Sequence, residues 1–317
     1  MGFIGRRLGI TILTLFLVSL LSFASFRLIP GDAALLSLGT EATEEQIVTL
    51  RVEMGLDKSF PEQYLSWLKN FLTGNLGNSA RFRGESISGI IQSRLPVSFA
   101  LAGLSFLFII LIALPVSLFS VRKENSLADR VVTTLTALNI SVPGFFLGIL
   151  FIWIFGLILR LFVPGAYVSY EENPAAFLGY LVFPALSIAL PNAALVVKFL
   201  RASIFREFQS DYARTARSKG AGRSHILRRH VLKNASLPIV TLLGMIAGEI
   251  LSGSIVIEQV FGIPGIGRLL IASITSRDYV LIQTLIIYIA FAVILANTLA
   301  DLILQIIDPR IRLTEKL

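Results

Sequence analysis

The chain has 317 residues, 55% hydrophobic and 15% charged, against roughly 25% charged in a soluble domain, which excludes an ordinary soluble globular fold. Its formal net charge of +8 lies in short segments between apolar blocks, where it would set membrane orientation rather than bind nucleic acid. It has no cysteine, so disulfides, thiolate metal sites and cysteine nucleophiles are excluded as well.

The apolar blocks have the length of membrane-crossing helices, roughly 18 residues or more. Backbone polar groups must pair within lipid, so each span is read as a helix. The first span is predicted over about 8–29, after Arg6 and Arg7. Its apolar run is longer than that of a signal peptide, and no small-x-small cleavage site follows, so it reads as a retained helix. Residues 31–95 form an insertion in which Asp32, Glu41, Glu44, Glu45, Glu53, Asp57, Glu62 and Glu85 outnumber the basic residues. Within it, Thr43 and Gln46 fit a capping box before "EEQIVTLRVEM", with Gly55 at its end. "PEQYLSWLKNFLTG" predicts an amphipathic helix from Pro61 to Gly74, with Tyr64, Leu65, Leu68, Phe71 and Leu72 on one face. That face serves either a packed outer cap or a docking surface for an external partner, and Trp67 could be an interfacial anchor.

Spans two to six are predicted over about 97–121, 132–159, 177–200, 237–260 and 281–306. Asn139 and Pro143 mark a bend in the third span, and Pro191 and Asn192 one in the fourth, because proline removes a helix donor. Ionisable or amide groups inside spans are costly and face protein or water. Asn139, Pro143, Asn192, Glu249 and Glu258 are therefore candidates for a pathway or gate, with packing and interhelical hydrogen bonding as the alternative. Asn297 and Asp301, toward the inner end of the last span, are read as partners of a cytoplasmic arginine. Lys198, Arg201, Arg206 and seven more basic residues up to Lys233 face one side of this six-span plan, with Arg122, Lys123, Arg130, Arg310, Arg312 and Lys316. The positive-inside rule assigns that side, and both termini, to the cytoplasm. The chain divides into the first span (1–30), an extracytoplasmic helical insertion (31–95) and a core of five spans (96–317).

Equipment for covalent or nucleotide chemistry is missing. No Gly-Lys pair exists for a phosphate-binding P-loop. The only histidines, His225 and His230, lie in the basic segment, with no HExxH zinc motif. "GIPGIG" at 262–267 does not follow a strand in a βαβ unit.

Residues 211–238 read as a short helix from Asp211, a Gly220–Gly222 turn and a second helix with Leu227, Val231 and Ala235 on one face. Leu237-Pro238 then opens the fifth span. Small Ala213 and Ala216 would let another protein approach. A basic surface helix on anionic lipid is the other reading of the residues alone.

This stretch resembles the cytoplasmic EAA-type loop of ABC-importer permeases for dipeptides, oligopeptides and nickel complexes. The matching runs are "RTARSKG" and "RRHVLKNASLP", with Gly220 at the motif glycine and Ala216 at its second alanine. Arg214 and Thr215 replace the general motif's Glu and first Ala, a form common in the peptide/nickel branch. Further resemblance lies in "GLDKSFPEQYLSWLKNFLTGNLGNS", "VIEQVFGIPGIGRLL", "RDYVLIQ" and "DPRIR". It implies an all-α, type I importer permease in the bacterial cytoplasmic membrane, with an ATPase-coupling loop at about 201–236. Asp211, Tyr212, Ala213, Arg214, Ala216, Lys219, Gly220, His230, Asn234 and Pro238 would belong to that loop. Phe261, Pro264, Gly265, Gly267, Arg277 and Asp278 would form an outer-loop motif. The implied partners are a homologous second permease, two ATPases that bind ATP and magnesium, and an external substrate-binding protein. The chain itself would bind no cofactor and catalyse no reaction. Peptide is the expected cargo, a nickel chelate the alternative, and a membrane scaffold or receptor the reading outside transport.

Overall fold

The computed structural model describes residues 2–27, 43–53, 57–79, 81, 82 and 84–307. Gly55, Asp32, Glu41 and the "DPRIR" tail, with the side chains of Arg6, Arg7, Gln46 and Asp301, lie outside the described residues. The described chain is built from helices: α1 (Gly2–Arg27), α2 (Glu44–Glu53), α3 (Phe60–Leu72), α4 (Ile87–Arg122), α5 (Leu127–Ser141) and α6 (Gly144–Ile158). Then come α7 (Pro174–Phe208), α8 (Asp211–Ser218), α9 (223–235), α10 (Leu237–Phe261), α11 (Ile266–Thr275) and α12 (Tyr279–Ile307). α6 ends in a π-helical segment, Ile152–Ile158, and α9 contains another, Leu227–Val231.

Among the described residues, four helices, α4, α7, α10 and α12, are long and apolar enough to cross a membrane. The predicted third span is broken: α5 and α6 meet at 101°. Its cause is Pro143, which disfavours a helical conformation in the residue before it. Val142 is accordingly extended, at φ −96° and ψ 122°. The predicted start of the second span, just after Pro96, also shifts, because α4 begins at Ile87 and runs through the proline. Pro184 and Pro191 likewise sit inside an uninterrupted α7. The first predicted span, about 8–29, overlaps α1 as far as Arg27, and the strongly apolar part of that helix, Gly9–Ser25, is shorter than the four long helices.

The chain forms two compact units. The first comprises residues 1–98 and 264–294. Its core gathers Leu76, Ile87, Ile90 and Ile91 with Ile266, Leu269, Leu281 and Leu285. Burial of Ile87, Ile90 and Ile91 favours extending α4 back past Pro96, whose missing N–H would otherwise end it. α3 lies on α1 by aromatic contacts: Phe23 meets Tyr64 and Trp67 at 5.5 and 5.7 Å between ring centres, and the Ser19 and Tyr64 hydroxyls bond at 2.7 Å. Phe71 meets Tyr288 at 6.0 Å. The inward face of α3 is thus buried Tyr64 with half-buried Trp67, Leu68 and Phe71, while Leu65 and Leu72, predicted on it, are exposed.

The Glu62 carboxylate accepts both the hydroxyl (2.8 Å) and the backbone N–H (3.1 Å) of Ser59 at the start of α3. These bonds, the hydroxyl's first, hold its pKa below the ordinary 4.5. A depressed carboxyl pKa stabilises the fold above the unfolded value and loses that contribution as pH falls through the folded one. Hydrogen-exchange protection at the start of α3, relative to unstructured peptide, should therefore fall on acidification from about pH 5 to about pH 3. Glu62→Gln should flatten that dependence; an unchanged profile would mean the cap is not formed.

The second unit comprises residues 99–263 and 295–317. α7 is its hub, packed against α5, α6, α10 and α9. Small residues permit the close crossings. A Cβ on Gly144 would stand 3.0 Å from the Ser187 carbonyl, and one on Gly148 would stand 3.0 Å from the Phe261 ring. Pro191 withholds the helical donor that the Ser187 carbonyl would otherwise take. This Gly-x-x-x-Gly pair was not among the sequence expectations.

Candidate functional site

The basic segment folds as a helical hairpin at the end of α7. Ser210 is extended, at φ −67° and ψ 156°, so the chain turns there before α8 starts at Asp211, as predicted. α8 ends in a Schellman motif: Gly220 N–H donates to the Arg217 carbonyl and Ala221 N–H to that of Ala216, with Gly220 at φ +82°. Only glycine takes that φ without strain. α9 then buries Ile226, Leu227, Val231 and Ala235, the last three being the predicted face. Pro238 is exposed in the first turn of α10.

Tyr212 ties the hairpin to α7. Its hydroxyl donates to Glu207 Oε2 at 2.5 Å. Burial, followed by this bond, pushes its pKa above 10.0, and side-chain hydrogen bonds with Asn234 and Ser210 oppose the shift. Tyr212 and Asn234, assigned to the site from sequence, are thus brought together. Arg214, Arg217, Lys219, Gly220, Arg228, Arg229, His230 and Lys233 are exposed. The hairpin therefore presents a cationic end.

Ala213 differs from expectation. It is wholly buried in its own chain, so its small size serves packing of α8 and not the approach of another protein. Ala216 is half-buried. The Arg214–Asp211 pair, at 3.8 Å with both side chains largely exposed, contributes little.

Asp129 and Arg201 were not predicted as site residues. Asp129, 4% exposed, accepts from Ser120 Oγ at 2.5 Å and Arg201 Nη2 at 2.8 Å. The available signal was Ser126 followed three residues later by Asp129, an N-terminal capping pattern; Ser126 Oγ does accept the Asp129 N–H, at 3.2 Å.

The pathway candidates part company. Glu249 is exposed on α10, and among the described residues no side chain bonds its carboxylate. Thr241, Met245, Ser252 and Val256 are exposed at the same helical spacing. Glu258 is wholly buried, so it lines no open surface of this chain. Asn139 and Asn192 donate to carbonyls of their own helices, those of Leu135 and Ile188, both at 2.9 Å.

The outer-loop motif falls in both units. Phe261 is buried at the end of α10, its carbonyl accepting Tyr180 Oη at 2.5 Å, and Gly262 at φ +69° turns the chain. In the other unit, Arg94 donates to the Pro264 carbonyl at 3.4 Å, Gly265 precedes α11 and Gly267 is buried within it. Arg277 holds φ +57°. Buried Asp278 accepts from Ser79 Oγ at 2.5 Å and Arg81 N–H at 3.2 Å, joining the insertion to the loop before α12.

Residues 110–313 match the family described as the inner-membrane component of binding-protein-dependent transport systems, and residues 1–102 match the N-terminal region of such membrane components. The chain is 34% identical over 310 residues to a probable peptide ABC transporter permease of Sinorhizobium fredii, covering 98% of this chain and 99% of that one. It is 37% identical over 310 residues to a glutathione transport system permease of Pectobacterium atrosepticum, covering 98% of each. A putative peptide transport system permease of Brucella abortus is 34% identical over 307 residues, 97% of this chain and 98% of that one.

Proposed function

Because the chain belongs to the family of inner-membrane components of binding-protein-dependent transport systems, and so is a multi-pass permease subunit of a bacterial ABC importer, we propose that it carries peptides inward by alternating access. The cargo reading rests on relatives named for peptide and glutathione transport. A nickel chelate, the other cargo considered, finds no support in those names. The subunit would pair with a homologous permease, two cytoplasmic ATPases and an external binding protein. ATP and magnesium would be held by the ATPases, leaving this chain to move and not to catalyse.

The observation that carries the reading is the α8–α9 hairpin. A short helix, closed by Gly220 and anchored through Tyr212, offers its cationic end as a handle. In the assembly the ATPases would grip α8, and their closure on ATP would displace it. The exposed Glu249 stripe of α10 would then face a water-filled path or the second permease, where a charge escapes the cost of lipid.

Sidedness supports six crossings. Glu124 pairs with Arg223, so their two loops share one side of the membrane. That requires an even number of crossings between them, which α7 and the bent α5–α6 pair supply as one crossing each. Ser79 and Asp278, bonded at 2.5 Å, likewise need the four crossings from α4 to α10. With α1 and α12 counted as crossings too, both termini would lie on the basic, cytoplasmic side.

The test uses the absence of cysteine. A Lys219→Cys chain, expressed with its neighbouring transport genes, should cross-link to an ATPase subunit through a short bifunctional reagent. Thr275→Cys, which the six-crossing plan assigns to the external side, should not. Cross-linking from Thr275 and none from Lys219 would overturn the proposal.

A further inference from the structure

The turn between α4 and α5 is held by two carboxylates, Glu124 and Asp129, to which the transport reading gives no part in coupling. Asp129 accepts the Asn125 N–H at 3.2 Å as well as its bonds from Ser120 and Arg201. Asn125 holds φ +63°, and the Asp129 bond supports that strained turn. Arg201 Nη1 donates to Thr133 Oγ1 at 2.6 Å, while its buried Nε has no acceptor among the described residues. The guanidinium thus leaves one donor unsatisfied while bonding α5 twice. One residue beyond Lys123, Glu124 forms an ion pair with Arg223, whose guanidinium also stands 5.2 Å over the Phe208 ring.

These contacts close a circuit. Ser120 of α4 meets Asp129 of α5, which meets Arg201 of α7. Glu207 of α7 meets Tyr212 of α8, and Arg223 at the start of α9 returns to Glu124. Charge-assisted bonds are directional, so they resist the sliding that apolar helix packing permits. We propose that Asp129, paired with Arg201, is a positioning residue for energy coupling. It makes the α4–α5 turn travel with α7 and the α8–α9 hairpin, so that a push on α8 reaches α4 and α5 as well as α7. The source of the push rests on the importer reading above.

Spin labels on Leu127→Cys and Lys219→Cys, both exposed positions in a chain without other cysteines, report the tie in the assembled transporter. The unmutated background should give one narrow distance that ATP leaves unchanged. Asp129→Asn should broaden it and make it ATP-dependent, as should the more exposed variant Glu124→Gln, while Asp129→Glu keeps it narrower than Asp129→Asn. Uptake of a radiolabelled dipeptide per ATP hydrolysed should fall roughly tenfold in Asp129→Asn, within the range single coupling residues carry. An unchanged narrow distance in both Asp129→Asn and Glu124→Gln would overturn the proposal. So would uptake and hydrolysis falling together in proportion to the folded chain, which marks a merely structural role. Absence of ATP-driven uptake in the unmutated assembly would instead sink the importer reading, and the label distances, which need no substrate, would still decide the tie.

Discussion

Gly244→Ala should destabilise the chain by about 1–3 kcal/mol, the usual cost of forcing extra volume into a packed crossing, and Gly244→Leu should leave little folded protein. A Cβ on Gly244 collides with the Cβ of Ala300, where α10 crosses α12. Helices in lipid gain their association from close packing, so a crossing made by small residues loses most when they grow. Thermal unfolding of detergent-solubilised protein measures the loss. The remedy is specific. The next atom that a Gly244 Cβ would meet is the Ala300 Cα, at an ordinary 3.6 Å, so Ala300→Gly should restore most of the stability lost in Gly244→Ala. Destabilisation that Ala300→Gly leaves untouched would show that the contact does not govern the crossing.

Gly220→Val should insert normally yet lose at least about tenfold of ATP-coupled uptake. A β-branched residue at φ +82° is strained by roughly 1–2 kcal/mol, and relieving it opens the Schellman closure of α8. Among the described residues, no atom outside its chain neighbours lies within 4 Å of a Cβ there, so conformation and not collision sets the effect within this subunit. Uptake should therefore rank Gly220, then Gly220→Asn, Gly220→Ala and Gly220→Val, because asparagine tolerates the left-handed region. A Gly220→Asn chain as inactive as Gly220→Val would point instead to side-chain bulk at the ATPase contact. Proteoliposome uptake measured beside ATP hydrolysis separates these outcomes.

What the sequence determined by itself about this protein is whatever short-range chemistry encodes. Apolar block length marked α7, α10 and α12, and Asp211 and Gly220 bounded α8. The Leu227, Val231 and Ala235 spacing named the buried face of α9. Proline illustrates the limit of such signals. Pro143 broke a span and Pro191 did not, and at Pro96 the burial of Ile87, Ile90 and Ile91 in the preceding turns carried α4 through. The local cost is similar at each; the surrounding packing decides whether it is offset. Only the tertiary structure decided that Ala213 and Glu258 are buried while Glu249 is exposed. It alone brought Asp129 to Arg201 across 72 residues and Glu124 to Arg223 across 99. Those partners lie on different elements, and no local period joins them, because a side chain's neighbours across a crossing are set by where whole helices pack.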